Sequence, residues 1–405
     1  MRVFAVFFHP RENFTAVGGA EKRFLRVLKV WERKRLDVTI VESSPKLVSA
    51  CCPAYETIEV SSPISVSSNS LFSIYFEWIL WIVKACLRCP KTVKRKKHDV
   101  ILAQNNTLPN LFVAYFTHVL SKLPLVVTVH HFDFNDINKE VDNASVYRVY
   151  RDAGFSKSVA LLKTLTFAAM LALVKRSSMC ITVSNATATF LEKNGISKQR
   201  ICVSGNGVDL NQIKRIPARS KVYDGIFVGR ISRDKGVFDL VRIWKHVMRQ
   251  KHDAKLVLVG NGPDFSRLKD VIGSNDMSSN ILLKGSCTDT ELYSLMKASR
   301  IFLLPSRFEG WGLAVGEALA CGLPVICYDI PALRETFGHC RSVFFVPLGD
   351  VSSFFKVYES VFTHRDLNTL DVISEEYIRQ FRWDKVANCE LVAIHNLLTS
   401  IAPND

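Results

Sequence analysis

The stretch Ser306-Arg-Phe-Glu-Gly-Trp-Gly-Leu-Ala-Val-Gly-Glu-Ala-Leu-Ala-Cys-Gly-Leu-Pro324 decides the fold of this chain. The apolar run Ile301–Pro305 before it is typical of a buried parallel strand. The residues after Glu317 favour a helix that ends at Gly322. Glu309 is therefore predicted in the loop that leaves a strand, and Glu317 in the first turns of the next helix. Free backbone N–H groups in such a loop suit an anionic ligand.

Glu309 and Glu317 lie on either side of this loop. A carboxylate beside an anion site is better suited to accept hydrogen bonds from hydroxyl groups than to bind the anion itself. One carboxylate on each side of a phosphate-binding loop therefore suggests a ligand with hydroxyl groups at both ends of a diphosphate. A nucleotide-sugar fits that description, and we expect the side chains of Glu317 and Lys235 to face the cleft that holds it.

The two glutamates and their context resemble the Glu-x7-Glu signature of retaining glycosyltransferases of family 4, which have the GT-B architecture. Three more segments resemble motifs of that family in the same order: Gly18–Glu21, Val203–Asp209 and Phe227–Gly236. The resemblance covers nearly the whole chain and is weakest over 43–97. It implies an α/β fold of two facing Rossmann-like domains with parallel sheets and an interdomain cleft.

The length of 405 residues and the alternation of apolar strands with helical stretches agree with two α/β domains. We predict an N-terminal acceptor domain over 1–209 and a C-terminal nucleotide-sugar donor domain over 210–379. Residues 210–223, which contain Pro217 and show little apolar periodicity, are expected to link them. As in family members, a last helix over about 380–405 is expected to return to the N-terminal domain.

The resemblance assigns roles to residues of the second domain. Arg230 and Lys235 are expected to bind the diphosphate of the donor without a metal ion, and loss of such preorganised charge costs about two or three orders of magnitude in rate. Glu317 is expected to accept the ribose hydroxyls, and Glu309 to hold the donor sugar. The backbone expected around the sugar and the phosphates belongs to Gly229, Trp311, Gly312 and Leu313. Trp311 stands where the family often has phenylalanine.

Three residues of the first domain complete the expected site. Gly18 and Gly19 would form a wall without side chains against the phosphates or the acceptor. His130, at the end of a predicted strand, matches the family histidine near the sugar, and its neighbour His131 leaves that assignment open. No residue is an obvious base for the acceptor, which suits a retaining mechanism in which the leaving phosphate takes the proton. A covalent intermediate remains the alternative.

Neither a metal ion nor a cofactor is expected, and a UDP- or GDP-sugar would be the donor substrate. The eleven cysteines are scattered, and Cys86 and Cys89 form the only C-x-x-C pair. A zinc site would need a second pair or a histidine pair at ligand spacing. Reduced thiols are therefore predicted.

The net charge of +15 favours anionic partners, and no nucleic-acid-binding module is recognisable. Basic residues concentrate over 91–97, directly after the apolar and aromatic stretch Leu71–Leu87. That stretch is shorter than the roughly 20 residues needed to span a bilayer. The two segments together are typical either of a membrane-surface element or of a buried helix followed by a solvated basic turn. We interpret the apolar run Val159–Val174 as a core helix.

The resemblance implies a hexosyltransferase-type enzyme. The segment 71–97 and the charge favour a lipid-linked or glycan acceptor, and a soluble acceptor stays open as an alternative. Because Met1–Phe7 is predicted as a strand and not as a signal peptide, we expect a cytoplasmic protein that is peripheral on the inner face of the cell membrane. Two alternatives stay open: a GT-B sugar-nucleotide epimerase or phosphorylase, and a non-catalytic nucleotide-sugar-binding protein. An epimerase would need an acid/base pair that the sequence does not reveal.

Overall fold

The computed structural model describes residues 1–9, 18–43, 47–60, 71–132, 140–152, 154–364 and 376–401. The chain divides into two compact units, Met1–Gly205 with Trp383–Asp405, and Asn206–Arg382. From the sequence, the first domain is predicted to end after Asp209 and the second at about Arg379.

The first unit contains a seven-stranded sheet in which every pairing is parallel, in the order β3-β2-β1-β4-β5-β6-β7. Its strands are β1 Arg2–Phe7, β2 Asp37–Glu42, β3 Glu56–Glu59, β4 Val100–Ala103, β5 Leu125–Val129, β6 Met179–Thr182 and β7 Ile201–Val203. Its helices are α1 Gly19–Arg33, α2 Leu47–Cys51, α3 Leu71–Lys96, α4 Leu108–Ser121, α5 Asn143–Asp152, α6 Lys157–Lys175, α7 Asn185–Lys193 and a last helix, Trp383–Ile401. The strand order reverses direction between β1 and β4.

Each face of this sheet carries its own apolar core. Successive side chains of a strand point to opposite faces, so Phe4 and Val6 of β1 pack with α3, α4, α5 and α6. Ala5 and Phe7 pack on the other face, with α1 and with the last helix through residues such as Ile394. The last helix therefore belongs to the core of the first unit.

The second unit contains a parallel sheet of six strands in the order β10-β9-β8-β11-β12-β13. Its strands are β8 Tyr223–Val228, β9 Leu256–Val259, β10 Ile281–Gly285, β11 Ser299–Leu304, β12 Val325–Tyr328 and β13 Val343–Val346. Its helices are α8 Leu210–Lys214, α9 Val237–Gln250, α10 Phe265–Ser274, α11 Asp289–Lys297, α12 Leu313–Ala320, α13 Pro331–Phe337 and α14 Val351–His364. The strand order reverses direction between β8 and β11. The short helix α8 lies within the segment that the sequence analysis expects to be a linker.

Helix α3 corrects one sequence-based expectation. It continues through Pro90 to Lys96, so most of the basic run is helical and does not form a turn. Trp81, Ala85 and Cys89, spaced by four residues, form its buried face. The expected buried helix is therefore present, but only one of its faces is covered.

Helix α6 combines a core face with an exposed face. Among the described residues it is the one helix that is long and apolar enough to cross a membrane by length and composition. Phe167, Leu171 and Val174 pack into the core of the first unit, as predicted. Leu161 and Leu165 on the other face are more than half exposed, at 54% and 56%.

Candidate functional site

The candidate site in the second unit is built from two loops that follow neighbouring strands. Arg230 and Lys235 come after β8, and Glu309 comes after β11, which pairs with β8. Because parallel strands end at the same edge of a sheet, both loops lie where the strand order reverses. Open α/β sheets bind their ligands at this place.

Gly236 allows the two loops to touch. Its φ is +67°, and a Cβ atom on it would lie only 1.8 Å from the carbonyl oxygen of Pro305. Any side chain would therefore push the start of α9 away from the loop after β11. The backbone N–H of Arg307 also donates a 2.8 Å hydrogen bond to the carbonyl oxygen of Asp234. Lys235 is thus held directly against the loop that carries Glu309.

Lys235 and Glu309 form an ion pair. The Nζ atom of Lys235 lies 2.7 Å from Oε1 of Glu309 and 3.0 Å from the carbonyl oxygen of Phe308. The side chains of the pair are only 14% and 16% exposed. An ammonium group has three N–H donors. Two of them are used within the described part of the chain, and the structure shows no partner there for the third.

Arg230 is more accessible than Lys235. Its side chain is 57% exposed, and it pairs with Asp234 at 2.9 Å and bonds Ser232 at 3.2 Å. An exposed pair of this kind contributes only about 0–1 kcal/mol, so the guanidinium can exchange Asp234 for another anion at little cost. Gly229 beside it does not offer a free amide, because its N–H donates to the carbonyl oxygen of Val259 at 3.0 Å.

Helix α12 starts at the expected place. Gly312 precedes it with a φ of +91°, and a Cβ atom there would lie 2.5 Å from Leu333 Cδ2. The first backbone N–H groups of a helix, here beginning with Leu313, have no partner within the helix. They are the backbone groups that the sequence predicts to bind an anion.

The indole of Trp311 lies in the core of the second unit. It is 4% exposed and packs edge-on against Phe337 and Phe381, with ring centroids 5.1 and 5.2 Å away. Only the backbone of Trp311 is therefore placed to line a ligand, which is the part that the sequence analysis selects.

Glu317 is less accessible than the sequence analysis expects. It is 6% exposed, and its Oε1 accepts a 3.2 Å hydrogen bond from the hydroxyl of Tyr293, a fully buried residue. The carboxylate therefore has a role in the core as well as any role toward a ligand.

In the first unit, the two predicted glycines mark the start of α1. Gly18 caps the helix and Gly19 is its first residue. A Cβ atom on Gly18 would lie 2.3 Å from Glu21 Oε2, so a larger residue would displace that side chain. Further along α1, Arg23 forms a buried ion pair of 2.5 Å with Glu390 of the last helix and donates to the carbonyl oxygen of Gly205 at 3.2 Å.

His130 follows β5, and its backbone N–H donates to Asn106 Oδ1 at 3.2 Å. Its Nε2 is buried and has no hydrogen-bond partner among the described residues. Burial, followed by the nearby charges of Arg23 and His131, lowers the pKa of His130 to about 3. The imidazole is therefore neutral at physiological pH. The backbone carbonyl of His131 accepts a hydrogen bond from the side chain of Asn106 as well. The amide of Asn106 therefore holds the backbone of both histidines.

One residue that supports the site is absent from the sequence analysis. Asp239 of α9 is 3% exposed and accepts hydrogen bonds from Arg307 at 2.8 Å and from the hydroxyl of Tyr328 at 3.1 Å. It thereby fixes the loop just before Glu309. The only sequence signal is an acidic residue in the first turn of a helix, which usually has a simpler explanation in the helix dipole.

Metal ligands are not grouped in the part of the chain that the structure describes. Within it, no cluster of three or more histidine, cysteine, aspartate or glutamate side chains could hold an ion.

Two family models match the chain in succession. The model of Glycosyltransferase Family 4 matches residues 17–212, and that of Glycosyl transferases group 1 matches residues 208–375. A GDP-mannose:cellobiosyl-diphosphopolyprenol alpha-mannosyltransferase of Xanthomonas oryzae is 24% identical over 50% of this chain and 54% of its own. A 2-deoxystreptamine glucosyltransferase of Streptomyces kanamyceticus is 24% identical over 69% and 72%. The first three curated relatives are matched over only 29%, 54% and 31% of their lengths.

Solved structures resemble the whole chain at low identity. Sucrose-phosphate synthase from Thermosynechococcus elongatus has a TM-score of 0.76 at 16% identity, with 99% of this chain and 100% of that chain covered. Anabaena HepE in complex with UDP and glucose has a TM-score of 0.68 at 16% identity, over 96% and 99%. These similarities confirm the predicted fold. The two models together match residues 17–375, so the chain is a group 1 / family 4 glycosyltransferase with the two-unit GT-B fold.

Proposed function

We propose that the protein is a retaining glycosyltransferase of the hexosyl-transferring type, which takes a sugar from a UDP- or GDP-sugar without a metal ion. The bond between the anomeric carbon and the diphosphate oxygen breaks, and a bond to an acceptor hydroxyl oxygen forms. The acceptor proton ends on the released diphosphate. The observation that carries this proposal is the ion pair of Lys235 and Glu309, which joins two loops at the strand-order reversal of the second unit.

The pair suits both ends of a nucleotide-sugar. The remaining N–H of Lys235 and the accessible guanidinium of Arg230 would bind the diphosphate as its charge grows, an effect that is strongest when the donors are preorganised. Glu309 would accept hydroxyls of the donor sugar, and Glu317 those of the ribose. The start of α12 would add backbone N–H groups.

For the acceptor we propose a lipid-linked or membrane-associated glycan, and a peripheral position on the cytoplasmic face of the membrane. The named activity of the Xanthomonas relative, which uses a diphosphopolyprenol acceptor, supports this class. The basic surplus of the chain supports an acidic membrane surface. From the first unit, we propose Gly18, Gly19 and the neutral His130 as substrate-binding residues, as the resemblance implies.

Calorimetric titration with UDP and GDP, followed by hydrolysis of the matching nucleotide-sugars, tests the proposal. Lys235→Ala should lower kcat/KM by at least about tenfold, which is about 1.4 kcal/mol of transition-state binding. Lys245→Ala, an exposed lysine of α9, is the control and should keep wild-type activity. Proton NMR of the released sugar should show the anomeric configuration of the donor. Failure to bind either nucleotide, or inversion of configuration, would contradict the proposal.

A further inference from the structure

The exposed apolar side chains of the described residues concentrate on three helices of the first unit. Of nineteen large hydrophobic side chains that are exposed, twelve belong to α3, α4 and α6, namely Ile74, Phe76, Ile79, Val83, Leu87, Phe112, Phe116, Val119, Leu120, Leu161, Leu162 and Leu165. The second unit has three, Val222, Leu282 and Leu348. Scattered apolar residues are ordinary on a protein surface, whereas a cluster marks an interaction site.

The three helices lie side by side. Helix α4 contacts both α3 and α6, and the hydroxyl groups of Tyr75 in α3 and Thr166 in α6 are 2.7 Å apart. All three helices supply buried residues to the same core on one face of the sheet. Their exposed side chains therefore point away from the sheet on one side. We call these twelve residues the α3–α4–α6 face.

Helix α4 departs most clearly from an ordinary surface helix. Its sequence, Leu108–Ser121, contains no aspartate, glutamate, lysine or arginine. Phe112 and Phe116 are 43% and 37% exposed, and Val119 and Leu120 extend the same stripe. A helix on the surface of a soluble domain normally turns polar residues outward. An exposed apolar stripe therefore needs an apolar partner.

The charged residues of these three helices are almost all basic. Helices α3, α4 and α6 carry nine lysines and arginines, at positions 84, 88, 91, 94, 95, 96, 157, 163 and 175, and one acidic residue, Glu77. Lys91 and Lys94 follow Leu87 at four and seven positions, so they continue the apolar stripe of α3 on the same side. Both are exposed. A surface of this composition fits a layer that is apolar inside and anionic outside.

We propose that the α3–α4–α6 face docks on the anionic surface of a lipid bilayer, which rests on and extends the membrane-associated acceptor of the proposed function. The exposed apolar side chains would enter the interface, and Lys91 and Lys94 would contact anionic headgroups. A second copy of the chain is a poorer occupant, because two such faces would bring like charges together. Helix α6 lies along the surface rather than across the bilayer, since Phe167 and Val174 anchor it in the core.

Sedimentation of the full chain with vesicles tests this docking. The wild type should bind vesicles that contain phosphatidylglycerol, bind pure phosphatidylcholine weakly, and be released as salt shortens the Debye length from about 10 Å at 0.1 M to about 3 Å at 1 M. The double variant Phe112→Ser, Phe116→Ser should lower the partition coefficient by at least about tenfold. Lys91→Gln with Lys94→Gln should lower it by roughly twenty-five-fold, about fivefold for each lysine.

Matched variants separate the face from general effects. Leu282→Ser with Leu348→Ser, which are 43% and 44% exposed on the second unit, and Lys193→Gln with Lys198→Gln should leave vesicle binding unchanged. Leu161→Ser with Leu165→Ser probes the face independently of α4. Hydrolysis of the nucleotide-sugar should stay at the wild-type level in every variant.

Three results would overturn the docking proposal. They are absence of wild-type binding to anionic vesicles, wild-type binding by both the α4 and the α6 variants, or a lipid-free dimer that the α4 variant dissociates. A protein that binds vesicles but neither UDP nor GDP would instead contradict the proposed function and leave the docking face standing.

Discussion

The hydroxyl of Tyr293 donates a 3.2 Å hydrogen bond to Oε1 of Glu317, and this bond joins the helix before β11 to the helix after it. A glutamine at position 317 keeps an acceptor for Tyr293 but loses the charge that would bind the ribose. Glu317→Gln should therefore lower transfer by at least about tenfold with little change in Tm. Glu317→Ala should lower transfer and also cost about 1–3 kcal/mol of stability, because the buried hydroxyl loses its acceptor.

The double variant Tyr293→Phe, Glu317→Ala checks this reasoning by chemical denaturation. It should recover part of the stability lost in Glu317→Ala, since the hydroxyl that donates to Glu317 is then absent as well. If the double variant is less stable than Glu317→Ala, the hydrogen bond is not the cause.

Gly236→Ala should separate the two loops of the candidate site. The new Cβ atom would meet the carbonyl oxygen of Pro305 at 1.8 Å with φ at +67°, which forces the backbone to move. We expect a loss of at least about 1–2 kcal/mol, a typical scale of backbone strain, together with weaker UDP or GDP binding. Gly273→Ala is the control: its Cβ atom meets nothing within 4 Å in helix α10, and the change should stabilise by about 0.4–1 kcal/mol. Urea unfolding of both variants measures the difference, and equal stabilities would contradict the loop contact.

Chelation tests the proposed independence of a metal ion. If Arg230 and Lys235 bind the diphosphate, transfer should continue at the wild-type rate in excess EDTA. The rate is measured as release of the nucleoside diphosphate before and after dialysis against the chelator. Complete loss of activity, restored by manganese or magnesium, would assign the enzyme to a metal-dependent mechanism.

The free energy of unfolding should decrease as the pH rises, because Glu42 is buried in the folded protein. Burial, helped by Glu59 and opposed by the N–H of Val48, raises the pKa of Glu42 from 4.5 to about 7. Between these pH values the folded protein therefore keeps a proton on Glu42 that the unfolded chain has lost. The contribution of Glu42 to the free energy of unfolding thus decreases as the pH rises from about 4.5 to 7. Glu42→Gln should gain stability relative to the wild type between pH 5 and 8, measured by urea unfolding. Glu59→Gln should move the wild-type decline to lower pH. A constant difference between Glu42→Gln and the wild type at all pH values would contradict the assignment.

Cys389 should be alkylated more readily than its neighbour Cys202. Its Sγ lies 3.7 Å from that of Cys202, and the hydrogen bond between the two thiols lowers the pKa of Cys389 below its usual value. Labelling with iodoacetamide at pH 6 to 9, read by mass spectrometry, should show a half-maximal rate at a pH below the ordinary thiol range of about 8–9. Cys202→Ala should move that midpoint upward, because the donor is lost. An unchanged profile in that variant would show that Cys202 is not responsible.

The sequence predicted the framework of the second unit well because its signals are local. An apolar run after a helix and before a glycine-rich turn identifies β11, and the glycine at 312 marks the start of α12. Lys235 and Glu309 were both selected from motif context. Their direct contact was not predicted, because it depends on β8 and β11 being neighbours, which no local pattern reveals.

The parts that the sequence missed depend on long-range packing. Tyr293 reaches Glu317 from another helix, and Asp239 fixes Arg307 across 68 positions. The exposure of α4 was also not predicted, since a helix without charged residues is indistinguishable from a core helix by composition. Only the folded structure shows that Phe112, Phe116, Val119 and Leu120 are exposed.

The ion pair of Arg23 and Glu390 can form only after the last helix of the chain has been synthesised. Arg23 lies in the first helix and its partner lies 367 positions later, in the last helix. In a growing chain, Arg23 therefore has no Glu390 to pair with until the whole second unit has been synthesised. Breaking a buried pair costs about 3–5 kcal/mol, a large share of the 5–15 kcal/mol that typically holds a domain together. The unit that is translated first is thus the one that becomes fully stable last.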